Sequence, residues 1–107
     1  MKNFVIKSSD IKKIIDSNSY AIASDRITVD GCKVGYMYKE SPTKPDDSGW
    51  RFFAGDESDD YTNDANNFGV YDLNTICNYD QSIIPYLNED ITSAYYKDEK
   101  GNFIKER

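Results

Sequence analysis

Four carboxylates occupy five consecutive positions directly after an aromatic, strand-like stretch of this chain. The aromatic run extends from Trp50 to Phe53, and a turn is expected at Gly55. The four acidic residues that follow are Asp56, Glu57, Asp59 and Asp60. Carboxylates this close together can exchange protons as an acid–base pair, hold a hard cation such as calcium, or form ion pairs with a basic partner.

The residue types of this chain give little support to a catalytic function. The chain contains no histidine, so a Ser–His or Cys–His nucleophile is excluded, and it contains no glycine-rich phosphate loop. A carboxylate pair such as Glu57 with Asp72 is the remaining option, with one member held protonated by burial. An Asp/Glu enzyme is therefore kept as an alternative, and no catalytic residue is predicted.

Metal binding is also poorly matched. The acidic tract lacks the alternating ligands, central glycine and distal glutamate of an EF-hand loop. Cys32 and Cys77 are two thiols without a histidine, which is too few ligands for zinc, and we expect them to be reduced. The sequence predicts neither a metal site nor a cofactor.

The charge is concentrated in the middle of the chain and indicates the class of partner. The net charge is −6 over 107 residues. Residues 40–72 hold nine acidic against two basic residues, a net charge of −7, and the remainder carries +1. Such a surface repels nucleic acid and attracts a basic protein. No apolar stretch approaches the ~18 residues of a membrane span, and the N-terminal residues lack an apolar signal segment, so we expect a cytoplasmic protein.

These observations predict a partner-binding surface around the acidic tract. Its carboxylates would steer and pair with lysines and arginines of the partner. The predicted partner-binding residues are Trp50, Asp56, Glu57, Asp59, Asp60 and Tyr61, with Asp46 at the rim. The tract can equally be a solvated loop that keeps a small domain soluble, and Trp50 can equally be a core residue.

The second hypothesis is a regulatory domain that binds a small molecule or a metal. It predicts a concave pocket near Arg26, Arg51 and Glu57. The structural interpretation of the two arginines is different, because each can pair with a carboxylate such as Glu40 or Asp56 and tie neighbouring strands together.

Hydrophobic spacing and turn residues indicate the elements that must position the tract. Ser8 to Asp10 can cap a helix carrying Ile11, Ile14 and Ile15. Asp30-Gly31 is typical of a tight hairpin, residues 41–49 of an exposed loop, and residues 56–68 of an irregular segment. The expected strands are 20–24, 34–39, the central 50–53, a brief piece at 69–71 and a C-terminal hairpin over 93–106. Asp72 is expected to cap one short helix, and Asp80 or Ser82 a second, where the position of Pro85 near the first turn favours Ser82. The sum is a single α+β domain over 1–107, mostly antiparallel sheet with a few short helices.

Four collinear segments of the chain resemble the immunity-protein-33-like family of bacteria. They read SDRI from Ser24, DGCKVGYMYKE from Asp30, DSGWRFFAGDE from Asp47 and GVYDLNTI from Gly69. The resemblance runs from about residue 20 to residue 96. It implies a non-catalytic immunity protein of a polymorphic toxin system, which binds and neutralises a cognate toxin domain. The chain departs from the family pattern at Lys39, where members commonly have arginine.

Overall fold

The computed structural model describes residues 2–106, and a six-stranded sheet organises them. The strands are β1 (Tyr20–Ser24), β2 (Tyr36–Lys39), β3 (Asp47–Phe53), β4 (Phe68–Asp72), β5 (Ala94–Lys97) and β6 (Phe103–Lys105). Their order across the sheet is β4-β1-β3-β2-β5-β6. β1 and β3 run parallel, and the other four pairings are antiparallel. The expected α+β class with a mostly antiparallel sheet is confirmed.

The helices are short, and three of them build the core against one face of the sheet, here called the inner face. They are α1 (Asp25–Thr28), α2 (Asp59–Thr62) and α3 (Leu73–Tyr79), with 3-10 helices at Ser8–Asp10, Ala65–Asn67 and Gln81–Tyr86. Ile27 and Ile76 from α1 and α3 are fully buried with Met37 and Phe52 of the sheet. Since side chains alternate along a strand, the residues between these belong to the opposite face.

The opposite, outer face is largely apolar, with the buried Arg51 as its charged member, and it is only partly covered. Its members follow from the register of the strand pairs, in which Tyr36 lies beside Phe53 on one side and beside Tyr96 on the other. The large apolar residues of this face are Ile22, Tyr36, Tyr38, Phe53, Phe68, Val70, Tyr96 and Ile104. Val70, Tyr96 and Ile104 are among the exposed large hydrophobic residues of the protein.

Most of the predicted strands are confirmed. β1 spans the expected residues, β2 and β4 fall within one or two residues of the expected strands, and the C-terminal hairpin is formed by β5 and β6. β3 has β1 and β2 as neighbours and is central, as its aromatic run predicted. Asp72 directly precedes α3, although its side chain makes no capping hydrogen bond.

The helix predicted after Asp10 is wrong. Only the 3-10 helix Ser8–Asp10 forms, and residues 11–19 are not helical. The Asn74 side chain on α3 accepts from the backbone N–H groups of Ile14 and Ile15 and donates to the Lys12 carbonyl. These hydrogen bonds replace those a helix would have made, so the isoleucine spacing reflects packing of an extended segment against α3.

The hairpin predicted at Asp30-Gly31 is also wrong. Residues before the turn form α1, and Gly31 follows the end of this helix with φ +82° and donates its N–H to the Ile27 carbonyl. A glycine in this conformation is as typical of a helix C-terminus as of a tight hairpin. The Ser24 hydroxyl caps the helix by accepting from the Arg26 N–H, a signal that sequence reasoning missed.

Three further boundaries differ from prediction. β3 begins at Asp47, inside the expected exposed loop, and Asp47 and Gly49 are buried. Residues 56–68 contain α2 and a 3-10 helix instead of being irregular throughout. Asp80, not Ser82, caps the helix that follows, because its carboxylate accepts from the Ser82 N–H and hydroxyl.

Replacing Asn74 with alanine should release the N-terminal segment from α3. Two backbone N–H groups lose their acceptor, so we expect a loss of about 1–2 kcal/mol in the free energy of unfolding. Urea denaturation measures this loss, and hydrogen exchange should show faster exchange at Ile14 and Ile15. Asn66→Ala is the matched control, because the Asn66 side chain is exposed and makes no hydrogen bond within residues 2–106. Equal free energies of unfolding for the two variants would contradict the role of Asn74 in holding the N-terminal segment on α3.

A candidate protein-binding surface

β3 delivers the acidic tract to one end of the sheet. The strand ends at Phe53, and Gly55 turns the chain with φ +102°. Gly35 lies against this turn, and a side chain there would collide with the Ala54 carbonyl oxygen. The acidic segment, defined as residues 56–64, therefore starts at a fixed point beside β2. It holds five carboxylates and no basic residue.

The first two carboxylates of the acidic segment are used inside the protein. Asp56 forms a bidentate pair with Arg26, with oxygen–nitrogen distances of 2.6 and 3.2 Å, and these hydrogen bonds lower the pKa of Asp56. Glu57 accepts from the backbone N–H groups of Ala54 and Gly55 at 2.8 and 2.9 Å. The predicted pairing of Arg26 with Asp56 is confirmed, but it ties α1 to the turn after β3 instead of joining neighbouring strands. The contacts of Asp56 and Glu57 hold the turn at Gly55 in place.

Asp59 and Asp60 are different, because both are exposed at the start of α2. Neither side chain makes an ion pair or a hydrogen bond within the part of the chain that the structure describes. Ser58 caps α2 by accepting from the Tyr61 N–H, which fixes this short helix. Asp56 and Glu57 are thus engaged inside the protein, Asp56 by an ion pair and Glu57 by backbone N–H groups, whereas Asp59 and Asp60 remain in water.

The structure separates the other predicted partner-binding residues. Trp50 is fully buried on the inner face and donates its indole N–H to the Leu87 carbonyl at 2.9 Å. The interpretation of Trp50 as a core residue is therefore confirmed, and its prediction as a partner-binding residue at the surface is wrong. Tyr61 is half-buried with its ring edge against Phe68, 6.1 Å between centroids. Asp46 is exposed at the opposite end of β3, roughly 20 Å from the acidic segment by the rise of an extended chain.

A groove adjoins the acidic segment where the outer face meets the end of the sheet. Its volume is about 840 Å³. Tyr36, Phe53 and Tyr96 line it from the sheet, and Glu57 and Thr62 line it from the acidic segment. Of Arg26, Arg51 and Glu57, which the sequence predicts beside a pocket, Glu57 alone lines this groove, because the groove joins residues from three strands and a helix. The alternation of aromatic residues in β2 was the one available signal.

Arg51 forms a buried ion cluster in the middle of the sheet. Its guanidinium donates to both Asp47 oxygens at 2.8 and 2.7 Å and to Glu40 at 2.7 Å. Hydrogen bonds from Arg51 hold the pKa of Asp47 far below its usual range. The predicted pairing of Arg51 with Glu40 is confirmed, whereas the exposed loop predicted at Asp47 is wrong, because this residue is buried against Arg51 in β3. Two carboxylates engage the Arg51 guanidinium, so it is not available to an anionic ligand.

The structure also bears on the chemical alternatives. Glu57 and Asp72 lie near opposite ends of the sheet, because β1 and β3 run parallel and Asp72 pairs with Tyr20 at the far end. Cys32 and Cys77 are free thiols, and burial raises the pKa of Cys77 to about 11. Within residues 2–106, no group of three or more cysteine or acidic side chains could hold a metal ion. The same residues include no helix with the length and apolar character needed to cross a bilayer.

The fold and its exposed surface together indicate a class of protein. A small α+β domain with an open apolar sheet face and unpaired carboxylates beside it has the features of a protein-binding domain. A family model described as the immunity protein Imm33 domain matches residues 21–107, and the chain belongs to this family. Membership implies a toxin-neutralising role with a protein partner. Comparisons with curated proteins and with solved structures gave no match.

Replacing Asp47 with asparagine should destabilise the protein strongly. The buried Arg51 would lose its main counter-charge, and we expect a loss of about 3 kcal/mol in the free energy of unfolding. Asp46→Asn is the matched control, because the neighbouring Asp46 is exposed and should change stability by less than about 0.5 kcal/mol.

The destabilisation by Asp47→Asn should depend on pH. The lowered pKa of Asp47 means that its contribution is fully present at neutral pH and is lost as the pH falls towards the folded-state value. The stability gap to the wild type should therefore stay constant down to about pH 4 and narrow below it. Urea titrations at several pH values measure this difference in the free energy of unfolding. A difference that instead widens in acid would contradict the stabilising ion pair between Asp47 and Arg51.

Proposed function

We propose that this protein is a non-catalytic immunity protein that binds a basic toxin domain in the cytoplasm and blocks its activity. Membership in the Imm33 family is the observation that carries the proposal. The net charge of −6 and its concentration in residues 40–72 support a positively charged partner. Toxin domains that attack nucleic acids need a basic surface to hold their substrate, and an acidic protein can cover such a surface. The setting would be a polymorphic toxin system.

Asp59 and Asp60 are the carboxylates that suit electrostatic steering best. They are exposed and unpaired within residues 2–106, so their field reaches solvent without an internal counter-charge. Asp56 and Glu57 contribute less, because Arg26 and two backbone N–H groups already engage them. Fast association suits a protector that must act before the toxin causes damage.

The small-molecule alternative draws on one observation, the groove of about 840 Å³. The groove is not lined by Arg26 or Arg51, which the alternative had placed beside a ligand. A thermal-shift screen with calcium and common metabolites tests it, because a ligand specific for the folded state raises the unfolding temperature. A saturable increase in that temperature would favour the alternative over a toxin partner.

The protective role is tested by co-expression in a bacterial host. Candidate toxin domains, sought first among the products of neighbouring genes, are expressed with and without the protein, and growth is measured. We expect growth to be restored with one of them, and the two purified proteins to bind. Growth arrest by all of these toxins in the presence of the protein would overturn the proposal.

The steering role is tested with the toxin domain found in this way. Asp59→Lys/Asp60→Lys should slow association roughly tenfold at low ionic strength, and the difference should shrink at high salt. Asp46→Lys/Asp90→Lys is the matched control, since it changes the net charge equally at exposed positions outside the acidic segment. Stopped-flow kinetics measure both variants. Equal association rates for the two variants would show that the acidic segment has no special role.

A further inference from the structure

The outer face of the sheet is largely apolar around the buried Arg51 ion cluster, and within residues 2–106 no layer of helices covers it. The core packs between the inner face and α1, α3 and the 3-10 helix Gln81–Tyr86. On the outer face, Tyr96 is 43% exposed, Ile104 38% and Val70 63%. α2 borders this face, where Tyr61 meets Phe68 and Thr62 lines the groove. An apolar surface left open in this way is typical of a site where another protein docks.

The aromatic rings of this face form a continuous cluster. Phe53 stacks on Tyr38 at 5.8 Å between centroids, contacts Tyr36 at 6.0 Å, and meets Phe68 edge-on at 5.7 Å. The groove opens beside this cluster, with Tyr96 as its most exposed ring. Rings held by such contacts lose little entropy on binding, and they are frequent anchors of protein interfaces.

One wall of the groove is held in place by contacts within the protein. Lys97 lines one wall, and its amino group is drawn into an ion pair with the buried Asp80 at 2.6 Å. Asp80 also accepts from the Val34 N–H at 3.0 Å and from Ser82. The one lysine of the groove is therefore already neutralised, and the carboxylates of the acidic segment set the sign of the charge at the rim.

The charges decide which occupant fits. Nucleic acid and anionic lipid would be repelled by the five carboxylates of the acidic segment. A second copy would place a chain of net charge −6 against another of the same sign. A basic protein segment would not experience this charge repulsion. Lysine and arginine are also attracted to the faces of aromatic rings, which line this groove.

We propose that the groove lined by Tyr36, Phe53 and Tyr96 is the docking site for a basic segment of the toxin domain. The segment would place an apolar side chain, or the stem of an arginine or lysine, against the rings, with a cationic group facing Asp59 and Asp60. This assignment rests on the proposed function. It replaces Trp50, which is buried, by Tyr96 as the aromatic anchor of the surface.

The test uses the toxin domain found by the protection assay and two variants that act differently. Tyr96→Ala removes the exposed anchor, and Thr62→Trp fills the groove from its exposed wall. Phe4→Ala is the matched control, because Phe4 is 45% exposed and packs against Tyr71 on the inner side of the sheet. Circular dichroism and urea denaturation establish that each variant is folded.

We expect Tyr96→Ala and Thr62→Trp to weaken binding roughly tenfold or more, mainly through faster dissociation, and Phe4→Ala to bind as the wild type does. Hydrogen exchange on the wild-type complex, which needs no variant, should show protection in β2, at residues 53–55 and in β5. Wild-type affinity in both groove variants, or protection confined to other elements, would overturn the docking site while leaving the immunity function intact. Self-association through this face would also overturn it. If the wild type protects against none of the candidate toxins, both proposals fall together.

Discussion

The buried guanidinium of Arg51 is the group on which the sheet depends. It lies on β3 between β1 and β2, where it is 3% exposed, and it is held by Asp47 and Glu40. A charge this deep is tolerable only when carboxylates and hydrogen bonds surround it. Asp47 completes the arrangement by also accepting from the Gly49 and Thr43 N–H groups.

This ion cluster imposes a local geometry on β3. Asp47 and Arg51 are four residues apart, a spacing that would hold their side chains far from one another in a regular strand. Gly49 adopts φ +86°, and the register against β1 shifts between Tyr20 and Ile22, so β3 bulges and the two side chains meet. The fixed strand then carries Trp50 and Phe52 into the core and Phe53 onto the outer face.

The two faces of β3 also explain how a small domain can be both stable and able to bind. The inner face is filled by Trp50 and Phe52 with helices above them, and it provides the apolar burial that folding requires. The outer face carries Phe53 and its neighbouring rings, and no layer of helices from the described residues covers them. The turn after Phe53 is held by Arg26–Asp56 and by Glu57, which brings the free carboxylates of α2 to the same end of the sheet.

The sequence by itself determined the features that depend on neighbouring residues. Alternation and turn residues located β1, the C-terminal hairpin and the central place of the Trp50 strand, and the long motifs indicated the family. Only the tertiary structure decided features that depend on distant partners. Asn74 holds the isoleucine-rich segment extended, and Asp47 is buried because Arg51 reaches it across a bulge. The groove likewise exists because β2, β3 and β5 are neighbours in space, an order that residue spacing along the chain does not encode.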